Sequence, residues 1–232
     1  MKNFTSAFKL TARYAFMGLL SLSLFSSCKK DDPYNFEETL HSRVNLINAS
    51  PDAPAARLYV DDVLRTPNGV NFGEASGYYD TFSGTQDVII KSASGEATLA
   101  TTNAGFDVET SYTYMLIGQN SALSILAVND DLAAPASGKA KIRYVNASPN
   151  SSGVTLNNGS TVLVGAQNYR GVAPTVEVNA GNYTLRAYNT GAFPSAAATV
   201  NLESGKIYTV YAKGLVGGTG NSAFSVGVFT NK

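Results

Sequence analysis

The run VNLINASPD (residues 44–52) returns later in the chain as IRYVNASPN (residues 142–150). Apolar residues fill corresponding positions in both runs, and the step Asn-Ala-Ser-Pro is identical. A second pair follows in the same order, with YTYMLIG (residues 112–118) matched by YTVYAKG (residues 208–214). Two matches at a nearly constant offset indicate an internal duplication. The sequence therefore predicts two tandem copies of one domain.

Each copy consists of short β-branched and aromatic runs between Gly, Asn and Asp turns, with no sustained helical period. Asn158-Gly159 predicts a tight hairpin turn with positive φ at both central positions, and Asp61-Asp62 holds the corresponding place in the first copy. Roughly seven or eight strands in about 95 residues favour an all-β chain of two tandem antiparallel immunoglobulin-like β-sandwich domains. A closed barrel is the alternative.

Small residues and a proline separate the two copies, in the run LAAPASG (residues 132–138). Such a composition is typical of a short linker. We therefore predict the first β-sandwich domain over residues 43–131, the linker over residues 132–139 and the second β-sandwich domain over residues 140–232.

A structural turn motif is expected at the end of the first strand of each copy. Ser50 precedes Pro51, and because proline cannot donate to a sheet ladder, the strand ends there. The side chain of Asn48 can then hydrogen-bond the turn backbone. The same roles fall, in the second copy, to Asn146, Ser148 and Pro149.

The run ASPDAP (residues 49–54), followed by RLYVD (residues 57–61), resembles the opening of the bacterial family called domain of unknown function 4397. The resemblance continues through VNFG (residues 70–73), Tyr78, the Gly84 turn and YTY (residues 112–114). It covers residues 43–131 and, less completely, the second copy. Many family members have His at the position of Asn48, whereas this chain has Asn in both copies; this departure removes the residue that would have suggested a metal at this turn. It implies an exported and often duplicated β domain without an assigned activity.

The beginning of the chain has the order of a secretory signal peptide. Three basic residues precede an apolar run over residues 14–25, and two serines then stand before Cys28. The apolar run is shorter than the ~20 residues of a membrane-spanning helix. The run LFSSC (residues 24–28) resembles a lipobox, in which the cysteine receives a diacylglycerol. We predict removal of residues 1–27 and lipidation of Cys28; a stray thiol in an ordinary signal peptide is the alternative.

Residues 28–42 are predicted to hold the lipidated cysteine and a flexible tether, because KKDDP (residues 29–33) has no apolar periodicity. This run also resembles the signal that sends some lipoproteins to the outer face of the outer membrane; a plain solvated spacer is the alternative. Without residues 1–27 the chain has 14 basic and 17 acidic residues. We therefore expect a lipid-anchored, surface-exposed protein of the outer membrane that does not bind nucleic acid.

The chain has one His and one Cys, so Ser-His-Asp, Cys-His and His-rich metal sites lack the residues they need. His41 falls in the predicted tether. Glycoside hydrolysis by a carboxylate pair stays formally possible, and its candidates are Glu74, Asp80, Asp107 and Glu109. Their spacing does not distinguish them from ordinary turn carboxylates, and the second copy has few acids in the comparable region. We predict neither an enzyme nor a cofactor.

Asp61-Asp62 and Asp130-Asp131 supply oxygens of the type that calcium prefers, but no spaced Asp-x-Asp-x-Asp-Gly loop exists. Turn chemistry is the preferred interpretation, and no metal site is predicted.

The remaining interpretation is a non-catalytic cell-envelope module with a binding or structural role. Its expected partners are the membrane, through the lipid anchor, and a glycan or a protein. Tyr78 and Tyr79 are the predicted ligand-contact residues, since adjacent strand residues lie on opposite faces; packing of both in the interior is the alternative. An accessory glycan-binding or carbohydrate-active protein of a polysaccharide-processing system is the alternative function.

Overall fold

The computed structural model describes residues 41–95, 97–189 and 193–232. The predicted signal peptide, Cys28 and residues 28–40 of the tether lie outside these residues. The described chain is all-β, with a single 3₁₀ turn at Gly220–Ser222. It contains no helix that could span a membrane.

The first copy of the duplicated sequence contributes eight strands. They are β1 His41–Asn48, β2 Ala56–Val60, β3 Val63–Leu64, β4 Ala75–Phe82, β5 Gly84–Ser92, β6 Thr98–Phe106, β7 Ser111–Ile117 and β8 Ser124–Asn129. Two four-stranded sheets result. We call the sheet of order β3-β2-β5-β6 outer sheet 1 and the sheet of order β4-β1-β7-β8 middle sheet 1.

The second copy repeats this plan with one additional short strand. Its strands are β9 Lys139–Asn146, β10 Val154–Asn158, β11 Thr161–Gln167, β12 Val176–Asn179, β13 Gly181–Asn189, β14 Phe193–Pro194, β15 Ala198–Leu202, β16 Ile207–Lys213 and β17 Ser225–Thr230. Middle sheet 2 has the order β12-β9-β16-β17, and outer sheet 2 has the order β11-β10-β13, with β14 and β15 both pairing with β13. Two β-sandwich domains therefore stand in tandem, as predicted.

The pairing within the sandwiches is antiparallel with two exceptions. β1 runs parallel to β7, with Arg43 opposite Ser111. β9 runs parallel to β16 in the same way, with Lys141 opposite Ile207. The antiparallel sandwiches predicted from the sequence therefore contain one parallel pair in each middle sheet, because the first strand of each copy joins a strand from the end of that copy.

The two sandwiches pack against each other through their middle sheets. Alternate residues of β1 and β7 face the core of the first sandwich, which includes Leu46, Leu58 and Tyr114. The residues between them face the second sandwich and form a third buried apolar cluster with residues of β9 and β16. Its buried members are Ile47, Ala49, Met115, Ile117, Val145, Ala147 and Tyr211. The result is a stack of four sheets within one compact unit.

The predicted hairpin turns lie close to where the sequence placed them. Asp61 and Asp62 form the loop between β2 and β3 with φ of 47° and 60°, as a type I′ turn requires. In the second copy the loop is Gly159-Ser160, because Asn158 still pairs with Thr161 in the ladder. The prediction of Asn158-Gly159 was therefore wrong by one residue, because the ladder between β10 and β11 extends to Asn158.

A tyrosine near the start of β7 and its counterpart in β16 fix the preceding turn of each copy. The hydroxyl of Tyr112 accepts a hydrogen bond from the backbone N–H of Asp107 at 2.9 Å. The hydroxyl of Tyr208 accepts one from the N–H of Glu203 at 3.0 Å. This arrangement has the form of the tyrosine corner of immunoglobulin-like sandwiches.

His41 begins β1, so its assignment to the flexible tether was wrong. Its ring stacks on Phe82 with centroids 5.4 Å apart, and its carbonyl accepts a hydrogen bond from the N–H of Glu109. These contacts order the strand before the predicted start of the domain at residue 43.

Candidate functional site

A closed ring of hydrogen-bonded side chains crosses between the two middle sheets. Asp130 accepts a hydrogen bond from the Tyr78 hydroxyl at 2.6 Å and forms an ion pair of 2.5 Å with Arg143. Arg143 also donates to Thr209 at 2.7 Å, and the Thr209 hydroxyl donates to Asn231 at 2.7 Å. The amide of Asn231 closes the ring by donating to the hydroxyl of Tyr78 at 2.8 Å.

The ring is pseudo-symmetric because corresponding residues of the two copies take part. The hydroxyl of Thr113 donates to Asp130 at 2.8 Å, as that of Thr209 donates to Asn231 in the second copy. The two copies differ in charge, since an acid in the first faces the buried Arg143 of the second. Burial and the carboxylate of Asp130 raise the pKa of Tyr78. The ring therefore holds the sandwiches in one relative orientation.

Beside the ring, an open cleft of about 360 Å³ lies between the start of β1, the turn from β6 to β7, and the linker. We call it the linker cleft. Its polar lining residues are Arg43, Glu109, Thr110, Ser111, Asn129 and Asp131. Asp130 lies in its wall and also lines a smaller cavity of about 10 Å³, the size of one water molecule.

Four side chains of the linker cleft have no hydrogen-bond or ion-pair partner among the described residues. They are Arg43, Glu109, Ser111 and Asn129. Arg43 does lie over the ring of Tyr78, with its guanidinium carbon 5.4 Å from the ring centroid. The hydroxyl of Ser111 is buried and unpaired, a state that costs about 1–3 kcal/mol for a polar group. The other three side chains are exposed to solvent, whereas the Ser111 hydroxyl is shielded from it.

The carboxylates next to the cleft are neutralised by basic partners. Asp131 forms an ion pair of 3.0 Å with the buried Lys141. The N–H of Ala133 and the ammonium of Lys141 hold the pKa of Asp131 below its ordinary value. Together with the pairing of Asp130 with Arg143, this leaves Glu109 as the unpaired carboxylate among the described residues that line the cleft.

The backbone at Glu109 is strained relative to its counterpart in the second copy. Glu109 has φ of 57°, a region that residues other than glycine rarely adopt, and the corresponding residue is Gly205 with φ of 83°. The correspondence is firm, because the N–H of each bonds the first residue of its copy's first strand, His41 or Lys139. Four other non-glycine residues have positive φ, and all of them lie outside the cleft: Asp61, Asp62, Asn120 and Arg170.

The predicted ligand-contact residues have different environments. Tyr78 lies between the sandwiches with its hydroxyl in the polar ring, so its polar group is engaged inside the protein. Tyr79 lies on the face of β4 opposite to that of Tyr78; it pairs with Val44 and is half-exposed. Contact of Tyr79 with a ligand stays a prediction.

The turn motif lies at the opposite end of β1 from the linker cleft. Asn48 is buried, and its amide donates to the carbonyls of Pro54 and Val70, each at 3.1 Å. The amide of Asn146 donates to Gln167, and its oxygen accepts from the N–H of Ser148. In both copies the motif closes the loops around the end of the first strand.

The other acidic candidates are dispersed. Glu74 bonds Asn71 in the loop before β4, Asp80 lies in β4 opposite Arg43, and Asp107 precedes Glu109 in the turn. The side chain of Asp61 accepts a hydrogen bond from the backbone N–H of Asp87. The described residues contain no group of three His, Cys, Asp or Glu side chains that could hold a metal ion.

Sequence reasoning missed Arg43, Ser111 and Asn129, and considered Glu109 only as a candidate acid. The available signal was the comparison of the two copies. Gly205 marks a turn position that needs positive φ, and the first copy has Glu109 there. Ser111 similarly corresponds to the buried Ile207, since each pairs with the third residue of the first strand of its copy, Arg43 or Lys141, across a parallel pair.

Comparison with known proteins gives a family but no assigned activity. The chain matches no curated protein. Among solved structures it resembles a family 26 carbohydrate-binding module from Eubacterium rectale crystallised with maltoheptaose, at TM-score 0.27 and 12% identity over 82% of this chain and 96% of that one. A protein assigned to cell adhesion from Parabacteroides distasonis gives TM-score 0.23 and 8% identity over 82% and 99%. The tip fimbrial protein Mfa3 of Porphyromonas gingivalis gives 0.19 and 8% over 83% and 99%.

These TM-scores are too low to relate the overall folds. The family comparison is more direct, because the model of the family described as a domain of unknown function (DUF4397) matches residues 42–157. The match includes the turn motif of both copies and the first-copy side chains of the polar ring and the linker cleft. It spans half of the 232 residues, and the chain therefore belongs to the DUF4397 family.

Proposed function

We propose that this protein is a non-catalytic binding module of the cell envelope, held at the outer membrane by a lipid on Cys28 and exposed at the cell surface. The observation that carries the binding role is the linker cleft, an open, polar cleft of about 360 Å³ where the exposed side chains of Arg43 and Glu109 have no ion-pair partner among the described residues. The shared apolar cluster and the polar ring support this role, because a rigid body presents such a site at little cost in conformational entropy.

The charges of the cleft argue against hydrolysis of a bound glycan. A two-carboxylate mechanism needs a general acid with a raised pKa beside a second carboxylate. The lining residue Asp131 has a lowered pKa and an ion-paired partner, Lys141. Glu109 alone does not complete such a pair. A role as a glycan-binding accessory protein is the second candidate, and the balanced charge of the cleft favours it.

The anchor is tested with Cys28→Ser. We expect the parent chain to fractionate with outer membranes and to be accessible to antibody on intact cells, whereas the variant is released or retained as the unprocessed precursor. Membrane association of a processed Cys28→Ser chain would contradict the lipid anchor.

The binding role is tested with the purified chain that begins at residue 29. We expect it to retain a ligand from arrays of oligosaccharides and envelope proteins, and to leave that ligand chemically unchanged on prolonged incubation. Failure to bind any member of the arrays, or release of a cleavage product, would contradict the proposed function.

A further inference from the structure

We infer that two molecules of this protein associate by pairing their β6 strands antiparallel, so that outer sheet 1 of each joins into one continuous sheet. β6 is an edge of outer sheet 1 and pairs with β5 alone. Its nine residues, TLATTNAGF, include neither a charged residue nor a proline. Natural proteins commonly block strand edges with such residues, because an open edge accepts a further strand. Among the described residues, β6 is the longest edge strand that lacks both.

The corresponding edge of the second copy is interrupted. There the partners of β13 are β15, which has five residues, and β14, which contains Pro194. Proline has no N–H to offer to an added strand. The open edge is therefore a property of the first copy and not of the duplicated fold.

Half of the backbone groups of β6 are directed to the open edge. The carbonyl of Asp87 in β5 accepts a hydrogen bond from the N–H of Asp61, on the side of β2. Because backbone groups alternate in direction along a strand, the even-numbered residues of β5 bond β6, and Val88 is opposite Thr102. Three residues of β6 consequently direct their N–H and C=O groups away from β5: Thr101, Asn103 and Gly105. These groups have no backbone partner among the described residues.

The regular part of β6 is complementary to an inverted copy of itself. A register shift at Leu99 leaves residues 100–106 in regular register with β5, and Asn103 lies at their centre. Antiparallel pairing about Asn103 sets the outward-directed residues opposite one another, which closes about six hydrogen bonds. On the core side, the large Phe106 then stands opposite the small Ala100 of the partner molecule. Like charges do not meet at this seam, because β6 and its neighbour in middle sheet 1, β8, are uncharged.

A second molecule suits this edge better than an unrelated peptide. Sheet edges that select a foreign peptide do so with pockets for its alternate side chains. Residues 100–105 are only Ala, Thr, Asn and Gly, whose side chains are too short to build such pockets. The match of Phe106 with Ala100, in contrast, follows from inversion of the same sequence. Contact along one strand is smaller than the about 1,200–2,000 Å² of stable interfaces, so we expect weak association that depends on concentration.

The test uses the position of Asn103, which faces itself across the seam. In the purified chain that begins at residue 29, Asn103→Lys and Asn103→Asp each place like charges opposite one another, whereas an equimolar mixture of the two brings opposite charges together. Thr85→Lys is the matched control, because Thr85 is exposed on the same face of the neighbouring strand β5. Thermal melts confirm folding, and sedimentation velocity over a range of concentrations measures association.

We expect the parent chain and Thr85→Lys to dimerise equally, and each Asn103 variant to associate about tenfold more weakly or worse. The mixture of the two Asn103 variants should recover a dimer, a result that a merely destabilised fold would not produce. A parent chain that stays monomeric at every concentration would overturn the inference. A dimer that is insensitive to charge at position 103 would also overturn it, since another surface would then be the interface. Either result leaves the proposed binding role intact.

Cross-linking tests the register. In the chain that begins at residue 29, Asn103→Cys introduces a single cysteine. Paired residues on the seam have Cα atoms about 5.5 Å apart, within the range that a disulfide spans. Asp87→Cys is the control, because residue 87 lies one strand further from the seam and its two Cα atoms would be about 14 Å apart. We expect oxidation to link Asn103→Cys and not Asp87→Cys; equal linking of both would contradict the proposed pairing.

Discussion

Asn48 shows how one polar side chain can close a set of loops. It is fully buried, and its amide bonds two carbonyls while its oxygen accepts the N–H of Ser50. Asn146 holds the same place in the second copy. Because burial removes water as an alternative partner, each of these loop groups depends on the asparagine.

Asn48→Ala and Asn146→Ala should each lower the free energy of unfolding by about 1–3 kcal/mol, since buried loop groups lose their partners. Chemical denaturation of each variant measures this loss. Asn103→Ala is the control, because Asn103 bonds Asp87 at the exposed surface and should change stability little. Unchanged stability of both motif variants, with loss of ligand binding, would instead indicate a functional site at the turn.

The sequence was sufficient to place Asn48 and Asn146 at the turns, because the following Ser-Pro step ends the strand and an asparagine side chain there can hydrogen-bond the turn backbone. It was insufficient for Glu109. The strain at Glu109 is visible only once φ is known, because the sequence around Glu109 resembles that of any exposed turn. The same applies to Ser111, whose unpaired hydroxyl depends on which strands flank β7.

The hairpins illustrate the difference between recognising a turn and locating it. Asp61 and Asp62 occupy a two-residue loop with both φ values positive, as their position between two strands indicated. In the second copy, Asn158 remains in the strand, where its side-chain oxygen accepts the N–H of Thr184. A cross-strand hydrogen bond of this kind leaves no trace in the local sequence.

Asp62→Gly should raise the free energy of unfolding by about 0.5–1 kcal/mol, because glycine takes the second position of a type I′ turn without steric cost. Thermal or urea melts of the variant check this. Asp80→Gly is the control; it removes an exposed side chain from the interior of β4 and should be destabilising by a similar amount. A loss of stability in Asp62→Gly would mean that the carboxylate contributes more than the strain costs.

The stacking of four sheets explains the uninterrupted apolar runs in the sequence. Every residue of β7 is buried, because its two faces meet different cores. Such a strand does not alternate in polarity as a half-exposed strand does. The sequence therefore indicated two sandwiches but not that they pack together, since that contact depends on residues such as Met115 and Tyr211 that are distant in the chain.

The separate copies, residues 38–131 and 139–232, should each retain a folded core but melt at a lower temperature than the intact chain. Each would expose its side of the shared cluster, and each large apolar side chain returned to water costs about 1.5–3 kcal/mol. Mixing the two should restore part of the loss by forming a one-to-one complex, measurable by light scattering and calorimetry. Melting temperatures equal to that of the intact chain would show that the shared cluster contributes little.

Alkaline pH should destabilise the folded chain. Burial raises the pKa of Tyr78, Tyr114, Tyr144 and Tyr211 in the folded state. In the unfolded chain these groups have a pKa of about 10, so the stability they provide is complete below that pH and is lost as the pH rises above it. Denaturant titrations from neutral to strongly alkaline pH, with tyrosinate absorbance recorded in parallel, should show ionisation coinciding with unfolding. Ionisation of every tyrosine before unfolding would contradict this expectation.

The parallel pairing of β1 with β7 has a consequence for the rate at which the chain folds. Asn45 and Thr113, neighbours in the middle sheet, are 68 residues apart, and Arg143 and Thr209 are 66 residues apart. A nascent chain consequently cannot complete either middle sheet until the end of that copy has emerged. Strand pairs this far apart in the sequence form slowly, and all-β domains that depend on them typically fold in about milliseconds to seconds. The first strand of each copy can therefore pair early with β4 or β12, but it completes its pairing only when β7 or β16 becomes available.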